Sequence, residues 1–479
     1  MKKQVFFRFA VMIVMFTMIL AACAPATVEE PSEAPAAEEE DATGPVVEEE
    51  VITEGFDWRQ FEGTELSLIG VEGVYNEQIL EAIAPFEEKT GITIAKTDFI
   101  TEADFTNKVQ TLSAANSSEY DVYMVSFTNL FDWVPNGWIE PLDDYVNDPT
   151  LADPDLDMDD FYPEVLNYCH WNGVSGTPLG KDYPGAKLYA LPHGWIVFNL
   201  LYRTDIFEKY DLEIPETMDE LIEVGEFIQE NEPDMYGVAV RGFKAVDILY
   251  GGIWQTILSY GGRDFDEDLN PVFDSPENIE GLEKFAEMVN TVGNVGNWAN
   301  VTWYEVLTDL QTGKAAMAID APSLATWIAD SEEDSPAKGN IDIAPPVYGD
   351  TKDKTKSMIF GWNLGINANS ENKEAAWMFI QYVTGKERQM NETMKPFPTR
   401  QSVLGSEKVK QEMVDKGMVN FVDSWNETAK YADVLLTPAK GFNDYGYVLA
   451  GELQAAVLGE KTAEEALSTV SEYYRENYQ

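Results

Sequence analysis

From Phe56 onward the apolar positions switch repeatedly between two spacings. Glu65-Leu66-Ser67-Leu68-Ile69-Gly70 is a short apolar run with β-branched and alternating character, which predicts a strand. Residues 78–89 then place Ile79, Leu80, Ile83 and Phe86 on one helical face, and Thr90-Gly91 ends that helix. A second strand over 92–97, a helix over 104–115 and a strand over 120–125 continue the alternation. Further on, Thr217 stands three residues before Glu220, the spacing of a capping box, in front of a helix over 221–229. Strands alternating with amphipathic helices predict α/β architecture. Residues 56–479 are too many for one core, so two lobes are expected.

The N-terminus follows a different pattern. Lys2, Lys3 and Arg8 precede an apolar run over 9–20, long enough for an export signal and short for a membrane span. The run ends in Leu20-Ala21-Ala22-Cys23, which resembles the lipobox of bacterial lipoproteins. That resemblance implies a signal peptide over 1–22 and a diacylated Cys23 that anchors the mature chain to a membrane. Residues 24–55 hold eleven acidic residues, four prolines and no Lys or Arg, so 23–55 is expected to be a disordered acidic tether.

Charge and composition narrow the function. With 32 Lys plus Arg against 85 Asp plus Glu the net charge is −53, which disfavours nucleic acid and anionic membrane surfaces as partners of the body. Hydrophobic residues at 44% supply ordinary cores, which excludes global disorder. There are two cysteines; once Cys23 is acylated, Cys169 has no partner within the chain, so no disulfide framework holds the fold. The two histidines, His170 and His193, read as hydrogen-bonded structural residues. No G-x-S-x-G, P-loop or Cys/His cluster of metal spacing occurs, and neither cofactor nor metal is expected. A glycoside hydrolase working with two carboxylates is the enzymatic alternative, although among 85 acids carboxylates discriminate nothing.

Several segments, in order, resemble one family. They are Phe86-Glu87-Glu88-Lys89-Thr90-Gly91-Ile92; Asp121-Val122 followed by Asn136-Gly137-Trp138-Ile139-Glu140-Pro141-Leu142; Leu188-Tyr189-Ala190-Leu191-Pro192; and Leu201-Tyr202-Arg203-Thr204-Asp205. Ser259-Tyr260-Gly261-Gly262, the run Gly313 to Asp320, Gly361-Trp362-Asn363-Leu364-Gly365-Ile366 and the run Asn372 to Ile380 complete the series. Together they are similar to the extracellular solute-binding proteins of bacterial ABC importers, of the maltose-binding, carbohydrate-binding type. The resemblance implies a two-lobed periplasmic-binding-protein type II fold with a central cleft and three crossings, near 192–196, 343–346 and 395–398. Lobe 1 would comprise roughly 56–192 and 346–395, and lobe 2 roughly 196–343 and 398–479. Pro345-Pro346 and Pro396-Phe397-Pro398 suit stiff hinge connectors. The implied protein is extracytoplasmic, lipid-anchored on the outer face of the cytoplasmic membrane or in the periplasm, and monomeric in its body. It is no enzyme: it would close on a sugar or oligosaccharide and deliver it to the transmembrane subunits of an ABC permease.

A saccharide offers hydroxyls and apolar C–H faces, so its site wants polar side chains and aromatic platforms. The places that line the cleft by resemblance hold Glu72, Gly73 and Tyr75; Ser126, Thr128 and Asn129; His193 and Trp195; Trp254; Asp320 and Ser323; Gly361 and Trp362; Arg400 and Tyr445. Trp362 is the expected platform, with Trp254 or Trp195 as a second, and Asp320, Glu72 or Arg400 fixing hydroxyls. Helical packing explains Trp254 as well as a ligand does. A cleft rich in carboxylates and Trp would also suit a polyamine or other organic cation. Two departures from the family pattern bear on the ligand: Gly194-Trp195-Ile196 and Ser323 stand where relatives carry acidic and aromatic residues, and the aromatic stretch 168–185 is long. That stretch either overhangs the cleft or packs on the first lobe.

Overall fold

The computed structural model describes residues 55–245, 249–391 and 397–479. The signal, Cys23 and the tether lie outside the described residues. In β1 (Glu65–Val71) Leu66, Leu68 and Ile69 are buried. The helix Val74–Thr90 begins four residues earlier than its apolar spacing predicts, because the Gly73 N–H donates to Asn76 Oδ1 at 2.9 Å and caps an extra turn. It ends on Gly91, whose φ of 70° is left-handed and favours glycine. β2 (Thr93–Ile100), the helix Glu102–Ala114 and β3 (Val122–Ser126) follow. β4 (His170–Trp171) and β5 (Lys187–Leu188) form a small antiparallel pair. The remaining strands are β6 (Leu191–Val197), β7 (Asn199–Arg203), β8 (Tyr236–Ala239), β9 (Ala315–Asp320), β10 (Ile341–Ala344), β11 (Ser357–Ile366) and β12 (Ala432–Asp433). Thr217 and Glu220 form the expected capping box, on the helix Met218–Asn231.

Two sheets result, one per lobe. In the first, β1 pairs in parallel with β2 and β3, and the long β11 pairs with β3, β6 and β12. The second runs β10-β7-β9-β8, with β8 and β9 parallel. Consecutive strands β6 and β7 belong to different sheets, so the chain changes lobe at the single intervening residue, Phe198. This is later than expected, because β6 stays paired to β11 as far as Val197 opposite Ile359. The start of β11 clamps the crossing: the Phe198 N–H donates to the Met358 carbonyl at 3.1 Å, and Ser357 Oγ donates to the Phe198 carbonyl at 2.9 Å. Asn199 Nδ2 donates to the Ala344 carbonyl, where the second crossing leaves β10 through Pro345-Pro346.

Of the third crossing, Lys395 and Pro396 lie outside the described residues. The chain from Phe397 stays beside the first sheet: Thr399 Oγ1 donates to the Pro192 carbonyl at 3.0 Å, and β12 pairs with β11. Further on, the helix Phe421–Ala429 packs on β10, and the helices Phe442–Val457 and Ala463–Tyr478 pack on Pro276–Val292, all of the second lobe. The aromatic stretch 168–185 packs on the first lobe and is tied to the segment after β12. Trp171 packs on Phe131 of the first lobe, while the Gly176 N–H donates to the Pro438 carbonyl at 3.0 Å. No helix among the described residues is long and apolar enough to cross a membrane.

Candidate functional site

In parallel sheets, binding loops gather at the carboxyl ends of the strands. Here β1 and β3 run into Glu72-Gly73 and Phe127-Thr128, while β8 and β9 run into Val240-Arg241 and Ala321-Pro322. The two sets meet. Arg241, two residues past β8, reaches the end of β9, where its Nε donates to Asp320 Oδ2 at 2.9 Å and its Nη2 to Oδ1 at 2.6 Å. Asp320 is fully buried and also accepts the Ala321 N–H at 2.6 Å, so the carboxylate is fixed as well as paired. The guanidinium lies 5.0 Å from the ring centroid of Phe198, the crossing residue. From the first lobe Tyr75 comes within reach of the same charge: burial raises the phenol's pKa, and the charge of Arg241 pulls it back. Among the described residues nothing hydrogen-bonds the Tyr75 hydroxyl.

His193, on β6, positions this tyrosine. Its Nε2 lies 2.8 Å from the Tyr75 carbonyl, which can only accept, so Nε2 carries the proton. Its Nδ1 is buried without a partner. Burial pushes its pKa down to about 4, aided by the charge of Arg388, so the ring is neutral at pH 7. On the same lobe Ser126, Thr128 and Asn129 form a closed turn: the Ser126 N–H donates to Asn129 Oδ1 at 2.9 Å, and the two hydroxyls are 3.1 Å apart. Glu72 is exposed at the rim. The second lobe therefore presents a guanidinium held in a fork by a fixed carboxylate, with the Tyr75 phenol of the first lobe within reach of its charge.

The family model described as bacterial extracellular solute-binding protein matches residues 72–390. The chain belongs to that family. It is similar to the erythritol/L-threitol-binding protein of Mycolicibacterium smegmatis, 28% identical over 402 residues that cover 82% of each chain. In structure it is similar to an ABC transporter solute-binding protein of Agrobacterium radiobacter K84 in complex with ribitol, with a TM-score of 0.73, 21% identity, and 87% of this chain and 99% of that one covered. It is likewise similar to one of Agrobacterium vitis S4 with bound D-mannitol, with a TM-score of 0.69, 26% identity, and 86% and 98% covered. These relatives are substrate-binding proteins. The family places this solute-binding protein outside the cytoplasm.

Several residues expected at the cleft of this solute-binding protein lie elsewhere. Trp195 is fully buried at the lobe junction, its Nε1 donating to the Pro398 carbonyl at 3.1 Å and its ring against Tyr162 and Trp425. Trp254 is likewise enclosed, bonded to the Leu435 carbonyl and packed on Phe273. Arg400 sits inside the first lobe, donating to the Thr384 and Asp157 carbonyls with its guanidinium 3.9 Å from the Phe161 centroid; burial lowers its pKa to about 10. Tyr445 is buried among Phe265, Phe273, Phe442 and Tyr474. Trp362 is at the cleft end of its sheet, opposite Ser126 and Gly194, but Phe105 and Phe360 meet its ring edge-on and leave it 4% exposed. These aromatics pack; they are not open platforms. The sequence reading missed Arg241. The available signal was an arginine followed by glycine directly after a short apolar strand, a position that in this fold opens on the cleft. Among the described residues no group of His, Cys, Asp or Glu has metal-binding geometry. Cys169 is buried and unpaired.

Proposed function

We propose that this protein captures a neutral polyhydroxylated solute, a sugar or sugar alcohol, between its lobes and presents it to the transmembrane subunits of an ABC importer. The reading is supported by Arg241 of one lobe, held in a fork by the buried Asp320, with the Tyr75 phenol of the other lobe within reach of its charge. A hydroxyl both donates and accepts, so it suits a site of phenol and guanidinium. An organic cation does not suit it: the guanidinium stands where the cation would sit, and Arg241 already engages both oxygens of Asp320. For the same reason Asp320 is poorly placed to act as a hydrolase carboxylate. The relatives bind erythritol or L-threitol, ribitol and D-mannitol, all of them neutral polyols. Because the polar groups belong to different lobes, an open cleft would satisfy only part of the solute, and this differential binding is what drives closure.

A thermal-shift screen tests the reading. A ligand at 100 times its Kd adds about 2.7 kcal/mol to the folded state. Erythritol, ribitol, mannitol or a hexose should raise Tm, and stabilisation by spermidine or putrescine with none by polyols overturns the reading. Arg241→Lys, which keeps the charge and loses the fork held by Asp320, should weaken the bound polyol by about 2 kcal/mol. The protein is further proposed to be held at the membrane by acylated Cys23, with 24–55 as its tether. Cys23→Ala should then move it from the membrane fraction to the soluble one; unaltered partitioning refutes the anchor.

A further inference from the structure

We infer that the lobes are held together by a clasp of the chain's own residues, so that closure is stabilised in part by contacts the solute does not make. On the first lobe the clasp consists of the 168–185 stretch and the helix Asn129–Trp133. On the second it consists of Leu269, Pro438 and the start of the helix Phe442–Val457. The inference rests on the reading of the molecule as a solute-capturing protein only for what closure achieves.

The clasp spans a change of lobe. The chain is last paired to the first sheet at Ala432 and Asp433, in β12. Two residues on, the Leu435 carbonyl accepts the Trp254 indole N–H at 2.8 Å. Thr437 then donates to the buried Asp264, through its N–H at 2.6 Å and its hydroxyl at 2.8 Å, so residues 435–437 are bound to the second lobe. Leu435, at the change, has a φ of 68°, a left-handed conformation that a leucine holds only where its surroundings impose it. A short, strained link thus carries the chain from one lobe to the other.

The 168–185 stretch is rooted before this link and takes hold beyond it. Its root is the β4–β5 pair, Trp171 against Phe131, and Tyr168, whose hydroxyl donates to the Ala432 carbonyl at 3.1 Å. Its tip is tied to that root by Trp171 Nε1, which donates to the Thr177 carbonyl at 2.8 Å. Past Leu435, the Gly176 N–H and Ser175 Oγ both donate to the Pro438 carbonyl, at 3.0 and 3.3 Å. Gly176 also lies so close to Leu269 of the second lobe that a Cβ there would come within 2.5 Å of the Leu269 side chain, and its φ of 85° favours glycine.

A second set of contacts joins the lobes through the same Phe131. Its ring meets Phe442 at 5.2 Å and 90°, and beside it Asn443 Nδ2 donates to Asp132 Oδ2 at 2.8 Å. Phe131 and Asp132 stand on the helix that follows β3, whereas Phe442 and Asn443 begin the helix whose Gln454 donates to the Gly242 carbonyl, next to Arg241. Strap and helix therefore form one unit with Phe131 at its centre. Separating the lobes about Phe198 and Leu435 pulls these pairs apart. Apparent affinity scales with the fraction of molecules in the binding-competent state, so contacts that raise the closed fraction tighten binding without touching the solute.

The test compares the intact wild-type chain with Asn443→Ala, which removes an exposed side chain, and Gly176→Ala, which drives a Cβ against Leu269. Hydrogen exchange without ligand is the first readout. Asn443→Ala should speed exchange of the Gly176 amide by about threefold or more, because the lobes part more often, although the two residues share no hydrogen bond. The second is binding of erythritol, ribitol and mannitol. For whichever binds, each variant should lose affinity by about three- to tenfold, chiefly through faster dissociation, and Asp132→Ala combined with Asn443→Ala should cost no more than either alone. Unchanged Gly176 exchange in Asn443→Ala overturns the clasp and leaves polyol capture standing. Lost affinity with exchange unaltered also overturns it, and assigns Asn443 to the solute instead. If exchange responds as expected and no sugar or polyol binds, the clasp stands and the proposed function falls.

Discussion

Tryptophans occur in two settings that differ in almost every physical respect. At the lobe junction Trp195 and Trp425 are fully buried, stand edge to face at 5.3 Å, and touch Tyr162 and Phe397; the Trp195 N–H is spent on the Pro398 carbonyl. On the second lobe Trp303 and Trp327 also meet edge to face, yet the pair lies at the surface. The first pair glues together β6 and the segments that follow residue 397, which must move relative to one another as little as possible if Phe198 is to act as a pivot. The second pair holds nothing together that the buried Val306 and Leu310 do not already hold. An aromatic residue near a crossing is therefore evidence about the hinge before it is evidence about a ligand.

The comparison breaks most sharply at Trp195. Trp195→Ala removes a large buried side chain and a hydrogen bond that satisfies a buried carbonyl, and should cost about 3–5 kcal/mol in denaturant unfolding. A stability loss below about 1 kcal/mol would mean that the junction is far looser than its packing.

Acid sharpens the same contrast, because the junction contains a buried base. The folded-state pKa of His193 is about 4, below the ordinary value of 6.5, since burial and Arg388 both oppose its charge. The unfolded chain therefore binds the proton first. The stability contributed by the neutral ring is complete above pH 6.5 and is lost as pH falls from 6.5 towards 4, by up to about 3 kcal/mol. His193→Gln should remove most of this slope, measured as the difference in unfolding free energy between pH 7 and pH 4.5. A wild-type slope retained by the variant would assign it to other groups. As His193 holds the Tyr75 carbonyl, acid should also loosen the first-lobe side of the site.

How much of this was legible in the sequence depends on how local each feature is. β1 to β3, the helices between them, and the Thr217–Glu220 box are set by spacing and capping within a few residues, and the structure moves their ends by no more than about four positions. The family emerged from the order of many weak segments, and the matched residues 72–390 show it. Site residues were legible only as positions. Asp320 ends β9 and Tyr75 lies just past β1, whereas Trp254, Arg400 and Tyr445 carry the right chemistry on segments that the fold turns inward. Arg241 was marked in the sequence only by its place after a short strand, because its role depends on a pairing with Asp320 across 79 positions of sequence. The exposure of Trp303 and Tyr304 was not legible for a related reason: the helix Trp303–Gln311 presents Val306 and Leu310 to the core and Trp303 and Tyr304 to solvent, and which side faces inward is decided by the sheet it packs on.

The smallest expected effect is also the one that separates the two settings most cleanly. Trp303→Ala should change unfolding free energy by less than about 1 kcal/mol, because the ring is already 40% exposed and what it loses is chiefly its edge contacts with Trp327 and Tyr304. The denaturant slope should be unchanged, since little further surface is exposed on unfolding. Set beside Trp195→Ala under the same conditions, this gives a difference of about 2–4 kcal/mol between two identical chemical substitutions, attributable to burial alone. A cost above about 2 kcal/mol for Trp303→Ala would place that ring in the core of the second lobe.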